Sequence, residues 1–179
     1  MSGGFVHEHP MNESKEWYTP REIFEGLKTD FDLDPCSPGA DVVPWIPAKK
    51  HFTILENGLG LPWDGFVFLN PPYGYDTPIW MARLNTHHNG IALVFSRCDT
   101  KWGQRYLPSA SAILFIAGRV NFVPASEAAR YAAGGKLTNR GCGAGSMLVG
   151  YGDRAREILL RSQLGFIVLP TQRILELNV

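Results

Sequence analysis

The feature that most constrains this chain is an apolar run followed at once by two prolines, Phe66-Val67-Phe68-Leu69-Asn70-Pro71-Pro72-Tyr73. An apolar run without polar alternation marks a strand buried on both faces, in a sheet covered by helices. Neither proline can donate to a ladder, so the strand must end here and leave as a rigid turn. Asn70 therefore sits at the carboxyl end of a buried strand, where open α/β sheets bind their ligands.

The rest of the chain repeats the pattern. Ile91–Phe95, Ala112–Ala117 and Ser146–Tyr151 are further apolar strands, and Phe31–Pro35, His51–Leu55 and Phe166–Leu169 are shorter ones. Between them lie helical stretches. The first opens at Thr19-Pro20-Arg21-Glu22, with Thr19 as N-cap and Glu22 completing a capping box. The others start at Thr77-Pro78, at Thr100 and at Asp153, with Asp153 as N-cap. Strands alternating with helices predict an α/β fold with a mostly parallel sheet and helices on both faces. The 179 residues suit one compact domain over 16–179, after a flexible tail over 1–15 that has no signal-peptide pattern. No separate recognition domain fits in that length. The glycine-rich stretch 132–145 reads as a loop.

Composition narrows the function. No run of about 18 apolar residues exists, so no membrane helix is expected. Cys36, Cys98 and Cys142 form no CxxC pair, and the five histidines show no ligand spacing, so neither a disulfide framework nor a metal site is expected. A reducing cytoplasm fits. Net charge is zero, but residues 1–96 carry −6 and residues 97–140 carry +5. The basic segment can meet phosphates while the acidic one stays away.

The Asn70 side-chain oxygen and the Pro71 carbonyl are acceptors that can converge on a planar NH2 group, which offers two hydrogens. Held there, the amine can attack a methyl donor, with catalysis by positioning and electrostatics rather than by a strong base. Tyr73 offers a flat surface on which a base can stack. Asn70-Pro71-Pro72-Tyr73 after an apolar strand resembles the catalytic motif of S-adenosylmethionine-dependent amino-methyltransferases, which act on adenine N6, cytosine N4 or a glutamine amide. Trp17-Tyr18-Thr19-Pro20, Phe31–Cys36, Asn57-Gly58-Leu59, Trp63-Asp64-Gly65, Arg97–Trp102 and Gly118–Phe122 follow in the order of phage-type DNA N6-adenine methyltransferases. The resemblance covers about residues 16–151 and implies a Rossmann-like class I methyltransferase sheet.

The resemblance also implies roles. Asn70, Pro71, Pro72 and Tyr73 would be catalytic. Trp17, Thr19 and Pro20 would lie beside the methionine end of the S-adenosylmethionine cofactor, Asp34, Pro35 and Cys36 would form the turn against which it rests, and Asn57 and Leu59 would border its adenine. Trp63 reads as core. Only Gly39 is available for a glycine-rich turn after the first strand, and Asp41, Glu56 and Asp64 all remain candidates for the ribose-binding acid. Arg97, Asp99, Lys101, Trp102 and Arg119 fall near strand ends, with Lys136 and Arg140 on the glycine-rich loop, as a DNA surface. Arg97 also has a possible partner in Asp99, and Trp102 is a candidate stacking or wedging residue. The expected partner is double-stranded DNA with its target adenine turned out of the helix. Specificity would come from loops or a homodimer, or be weak. The other readings are a glutamine-amide or cytosine-N4 methyltransferase, and a DNA-binding decoy without cofactor.

Overall fold

The computed structural model describes residues 16–138 and 143–171. The elements are β1 (Trp17–Tyr18), α1 (Arg21–Leu27), β2 (Phe31–Asp34), β3 (Ala48–His51), β4 (Val67–Leu69), α2 (Thr77–His87), β5 (Gly90–Phe95), α3 (Lys101–Tyr106), β6 (Ala112–Ile116), β7 (Val123–Pro124), α4 (Ala128–Ala132), β8 (Ser146–Tyr151), α5 (Asp153–Arg161) and β9 (Gly165–Val168). Seven strands form one sheet in the order β3-β2-β4-β5-β8-β6-β9, and β1 and β7 form a separate two-stranded pair. The fold is mixed α/β.

Side chains alternate across the sheet as the strand period demands. Phe66, Phe68, Ile91, Leu93, Leu114 and Leu148 face α1 and α5 through Phe24, Leu27, Ile158 and Leu159. Val67, Leu69, Ala92, Val94, Met147 and Val149 face the other way, toward Trp63 and the Trp80, Met81 and Leu84 face of α2. Trp63 is core, as expected. An aromatic cluster anchors the first face: Phe31 stacks on Phe66 at 5.1 Å, and Phe24 meets Phe68 edge-on at 4.8 Å.

The sheet is mixed rather than mostly parallel. The β2–β3, β2–β4 and β4–β5 pairs are parallel, and the β5–β8, β6–β8 and β6–β9 pairs are antiparallel. An apolar run buried on both faces reads the same in either direction, so its sequence carries no sign of orientation. Because β8 runs against both of its neighbours, β6 points the same way as β2 to β5. The chain ends of those five strands therefore share one rim.

Local expectations were corrected in three places. Pro20, in extended conformation, precedes α1, and the Thr19 side chain caps nothing; Glu22 instead accepts from the Tyr131 hydroxyl at 3.1 Å. Gly152 at φ 88° is the cap of α5, and Asp153 is its first residue. The strand expected over His51–Leu55 ends at His51, because the Glu56 carboxylate accepts from the Thr53 backbone N–H at 2.7 Å and closes a turn. That turn leaves Ile54 and Leu55 exposed. Thr100 does cap α3, accepting from Gly103 N–H at 3.1 Å. Residues 133–138 and 143–145 hold no helix or strand, as expected of a loop.

Candidate active site

Asn70 follows β4 at the middle of the rim and is half-buried. Its Nδ2 donates to the Trp17 carbonyl at 3.0 Å, and its Oδ1 accepts from the Tyr73 hydroxyl at 3.0 Å. A carbonyl only accepts, so the amide must turn its NH2 toward Trp17 and its oxygen toward Tyr73. Tyr73 is not a free-standing platform as expected. Its ring stacks on Phe95 at 4.0 Å and 14°, and meets Phe122 edge-on at 5.9 Å. The motif's oxygen is thus held by aromatic packing. Pro71 is buried and Pro72 exposed, while the Pro72 carbonyl accepts from the Thr77 hydroxyl at 2.9 Å.

The β1–β7 pair brings the amino-terminal tetrad to this point. Trp17 pairs with Pro124 and Tyr18 with Val123, laying the Trp17 carbonyl against Asn70. Thr19 is fully buried, and its hydroxyl has no hydrogen-bond partner among the described residues. The Thr19 carbonyl accepts from Trp45 Nε1 at 2.8 Å, fixing the backbone just before Pro20.

Asp34 closes β2 on the same rim and is 2% exposed. Its Oδ1 accepts from the Cys36 N–H at 3.2 Å, while burial pushes its carboxyl up to about 7. His51, at the end of β3, stands 3.8 Å away with Nδ1 toward Asp34 Oδ2. His51 Nε2 lies 3.1 Å from the Ala48 carbonyl and therefore carries the proton, leaving Nδ1 to accept from Ser37 Oγ at 2.8 Å. Burial holds His51 below its ordinary value, so the Asp34–His51 contact joins two groups that both favour their neutral forms. The Cys36 thiol is pushed up to about 12 by burial first, then by the fields of Asp34, Asp76 and Glu16. It therefore keeps its proton at neutral pH.

Asn57 and Leu59 come to this turn through the glycine between them. A Cβ on Gly58 would lie 1.9 Å from the Pro35 carbonyl oxygen, so only glycine allows the approach. Trp63 Nε1 fixes the loop by donating to the Gly58 carbonyl at 2.7 Å. Asn57 is exposed in left-handed conformation, at φ 54°, and Leu59 packs partly on the core. Of the three candidate acids for a ribose, Glu56 is turned back onto Thr53, Asp41 is exposed, and Asp64 lies before β4 in a separate cavity of about 370 Å³ with Asp32 and Lys50.

Arg97 and Arg119 follow the strands of the other half of the rim. Arg97 is exposed and paired with Asp99 through Nε at 3.1 Å and a second nitrogen at 3.3 Å. With Tyr73, Gly74, Thr77, Phe95, Thr100 and Trp102 it lines a cleft of about 230 Å³ next to Asn70. Lys101 is exposed at the start of α3. Trp102 is half-buried, packing partly on the core and lining this cleft. Arg119 is exposed after β6, its guanidinium beside Gly145, just before β8. Lys136 is exposed beyond α4, with its carbonyl accepting from Arg130. Arg140 and Cys142, like residues 1–15, lie outside the described residues.

Sequence reasoning missed Ser37, His51, Phe95, Phe122 and Trp45. Ser37 directly follows one quoted motif and Phe122 ends another, but their contacts join residues 14 and 49 positions apart. Among the described residues no helix is long and apolar enough to cross a membrane, and no cluster of His, Cys, Asp and Glu could hold a metal ion. No curated protein and no solved structure matches the chain. A family model does match, over residues 7–141, a span that contains the Asn70 motif, the Asp34 turn and both basic strand ends. The chain belongs to the DNA N-6-adenine-methyltransferase (Dam) family.

Proposed function

We propose that the chain, a DNA N6-adenine methyltransferase by family, uses S-adenosylmethionine and acts on an adenine turned out of the duplex into the cleft beside Asn70. The observation that carries this reading is the Asn70 amide, oriented by Trp17 and Tyr73 so that its oxygen faces the aromatic cleft. An amide oxygen has two acceptor sites, so Tyr73 leaves one for the substrate amine.

The residues on the acidic half fit the cofactor. The buried Thr19 hydroxyl without a partner, the buried Asp34 carboxyl and the fields of Asp76 and Glu16 favour a cationic ligand carrying an ammonium group. Thr19, Pro20, Asp34, Pro35 and Cys36 would hold its amino-acid end, with Asn57 and Leu59 bordering its base. S-adenosylmethionine, when bound, supplies an electrophilic methyl group.

On this reading Asn70 Oδ1 and the Pro71 carbonyl accept the two amine hydrogens of adenine and hold the nitrogen lone pair toward the methyl. The amine would take up the methyl that the bound cofactor would supply, the sulfur keeping the electrons of the broken S–C bond. One N6 proton is then lost, through Asn70's hydrogen bond, to water. Phe95 and Phe122 fix Tyr73, and Tyr73 fixes Asn70, so the acceptor is in place before the reaction. The five strands sharing one rim, with β8 set antiparallel between β5 and β6, support a class I methyltransferase sheet reduced in length.

The test is transfer of labelled methyl from S-adenosylmethionine to unmethylated DNA, followed by nucleoside digestion, with Asn70→Ala beside the wild type. Label in N6-methyladenine that disappears in Asn70→Ala is the expected result. Label in N4-methylcytosine would keep the mechanism and change the base. Cofactor binding without transfer to any DNA would overturn the reading.

A further inference from the structure

Chemistry on a paired base requires it to leave the stack, and something must fill the place it vacates. The sequence pointed to Trp102, which is half-buried between the core and the cleft. Among the described residues only two aromatic rings are counted as exposed, Tyr75 and Phe166. Phe166 lies on β9, at the far edge of the sheet, and stacks on Phe115 at 4.9 Å. Tyr75 is 103% exposed and five residues past Asn70.

The loop that carries Tyr75 is pinned at both ends. The Thr77 hydroxyl donates to the Pro72 carbonyl at 2.9 Å, and the Asp76 carbonyl accepts from Ile79 N–H at 3.2 Å as α2 begins. Between the pins, Gly74 at φ 109° turns the backbone outward, and a Cβ there would have no atom within 4 Å. The loop is anchored while its tip stands clear of the fold. Gly74 also lines the aromatic cleft with Tyr73, Phe95 and Arg97. A fully solvated ring on an anchored loop has the geometry an intercalating group needs: flat, apolar, held at its base and next to the pocket.

We infer that Tyr75 is a DNA-contacting residue that inserts into the duplex beside the target adenine and stacks in the gap it leaves. This rests on the reading of Asn70 as the centre of the site. The insertion stabilises the extruded state, so its effect must depend on how firmly the target was stacked and paired. A target that is already unpaired needs no such help.

The experiment compares Tyr75→Ala, Tyr75→Phe and Asn70→Ala on two versions of a duplex the wild type methylates: one with the target adenine paired, one with an abasic site opposite it. Tyr75→Ala should lower kcat/KM about tenfold or more on the paired target and less than about twofold on the unpaired one. Tyr75→Phe, which keeps the ring, should match wild type on both. S-adenosylmethionine affinity and Tm should be unchanged in both Tyr75 variants. Equal loss on the two duplexes, no loss on either, or a Tyr75→Phe that behaves as Tyr75→Ala would overturn the inference. Asn70→Ala should be inactive on both; activity there would sink the reading of the site instead, and the Tyr75 comparison would still be read on its own.

Discussion

The two halves of the rim solve opposite problems. At the ends of β2 and β3 the polar groups are buried and interlocked: Asp34, Ser37 and His51 share one small network, and Asn57 is drawn in by a glycine against Pro35. At the ends of β5 and β6 the charges are exposed, and Arg97 is held by a carboxylate two residues away. On the proposed function, a small cationic ligand would be gripped by groups already desolvated and oriented, which lose little on binding. A polyanion would be met by solvated charges that exchange one partner for another. Asn70 sits at the seam, tied to β1 on one side and to the Tyr73–Phe95–Phe122 rings on the other.

The largest expected effect is at the seam. Asn70→Ala removes the oriented acceptor and should reduce methyl transfer about 100-fold or more, by analogy with loss of one preorganised hydrogen-bonding group elsewhere. Cofactor affinity, measured by calorimetry, should hold. A variant that lost cofactor binding to the same degree would place Asn70 in the buried half instead.

Next comes Gly58→Ala. Its Cβ has nowhere to go but into the Pro35 carbonyl, so the loop must back away. The expected cost is about 1–3 kcal/mol of stability, with weaker cofactor binding and little change in DNA affinity. A thermal melt and a cofactor titration check both. Unchanged cofactor affinity would detach Asn57 and Leu59 from the site.

The third prediction concerns pH. Asp34 is held up to about 7 by burial, against an ordinary carboxyl near 3.8. Between those values the folded chain keeps a proton that the unfolded chain has released, so folding stability should fall as pH rises from about 4 through 7. The slope from this one group is at most about 1.4 kcal/mol per pH unit. A cation bound beside Asp34 favours the carboxylate, so cofactor affinity should rise over the same span and level off above pH 7. Asp34→Asn should flatten both curves; a steep affinity profile surviving in that variant would assign the effect to another group.

The smallest effects belong to the exposed half. Arg97→Ala or Arg119→Ala should weaken binding to any duplex and reduce the salt slope by about one, without moving Tm. Asp99→Ala should leave stability alone, since surface pairs contribute little, and tighten DNA binding at low salt by releasing Arg97. Weaker DNA binding in Asp99→Ala would mean that the carboxylate positions Arg97 rather than competing for it.

Much of the buried architecture was legible because apolar runs and prolines act locally. The β4 run and its two prolines predicted a covered strand and its end without any knowledge of neighbours, and the helix read from Thr100 is there as α3. The turn after His51 was not legible, since His-Phe-Thr-Ile-Leu has strand composition and only the reach of Glu56 back to Thr53 closes it. Nor was β1, because two residues carry no period, and its partner β7 lies more than 100 positions away.

The sequence by itself determined that Asn70 ends a buried strand, that the excess of positive charge falls in residues 97–140, and that the motifs run in the family's order. These follow from chain chemistry: proline cannot extend a ladder, and charge is counted residue by residue. Tertiary structure alone decided that Asn70 is oriented by a backbone carbonyl 53 positions earlier, that β8 runs antiparallel, that Asp34 and His51 share a buried site, and that Tyr75 rather than Trp102 stands in the open. Each depends on which surfaces meet when the sheet assembles, and burial, unlike composition, belongs to the whole fold.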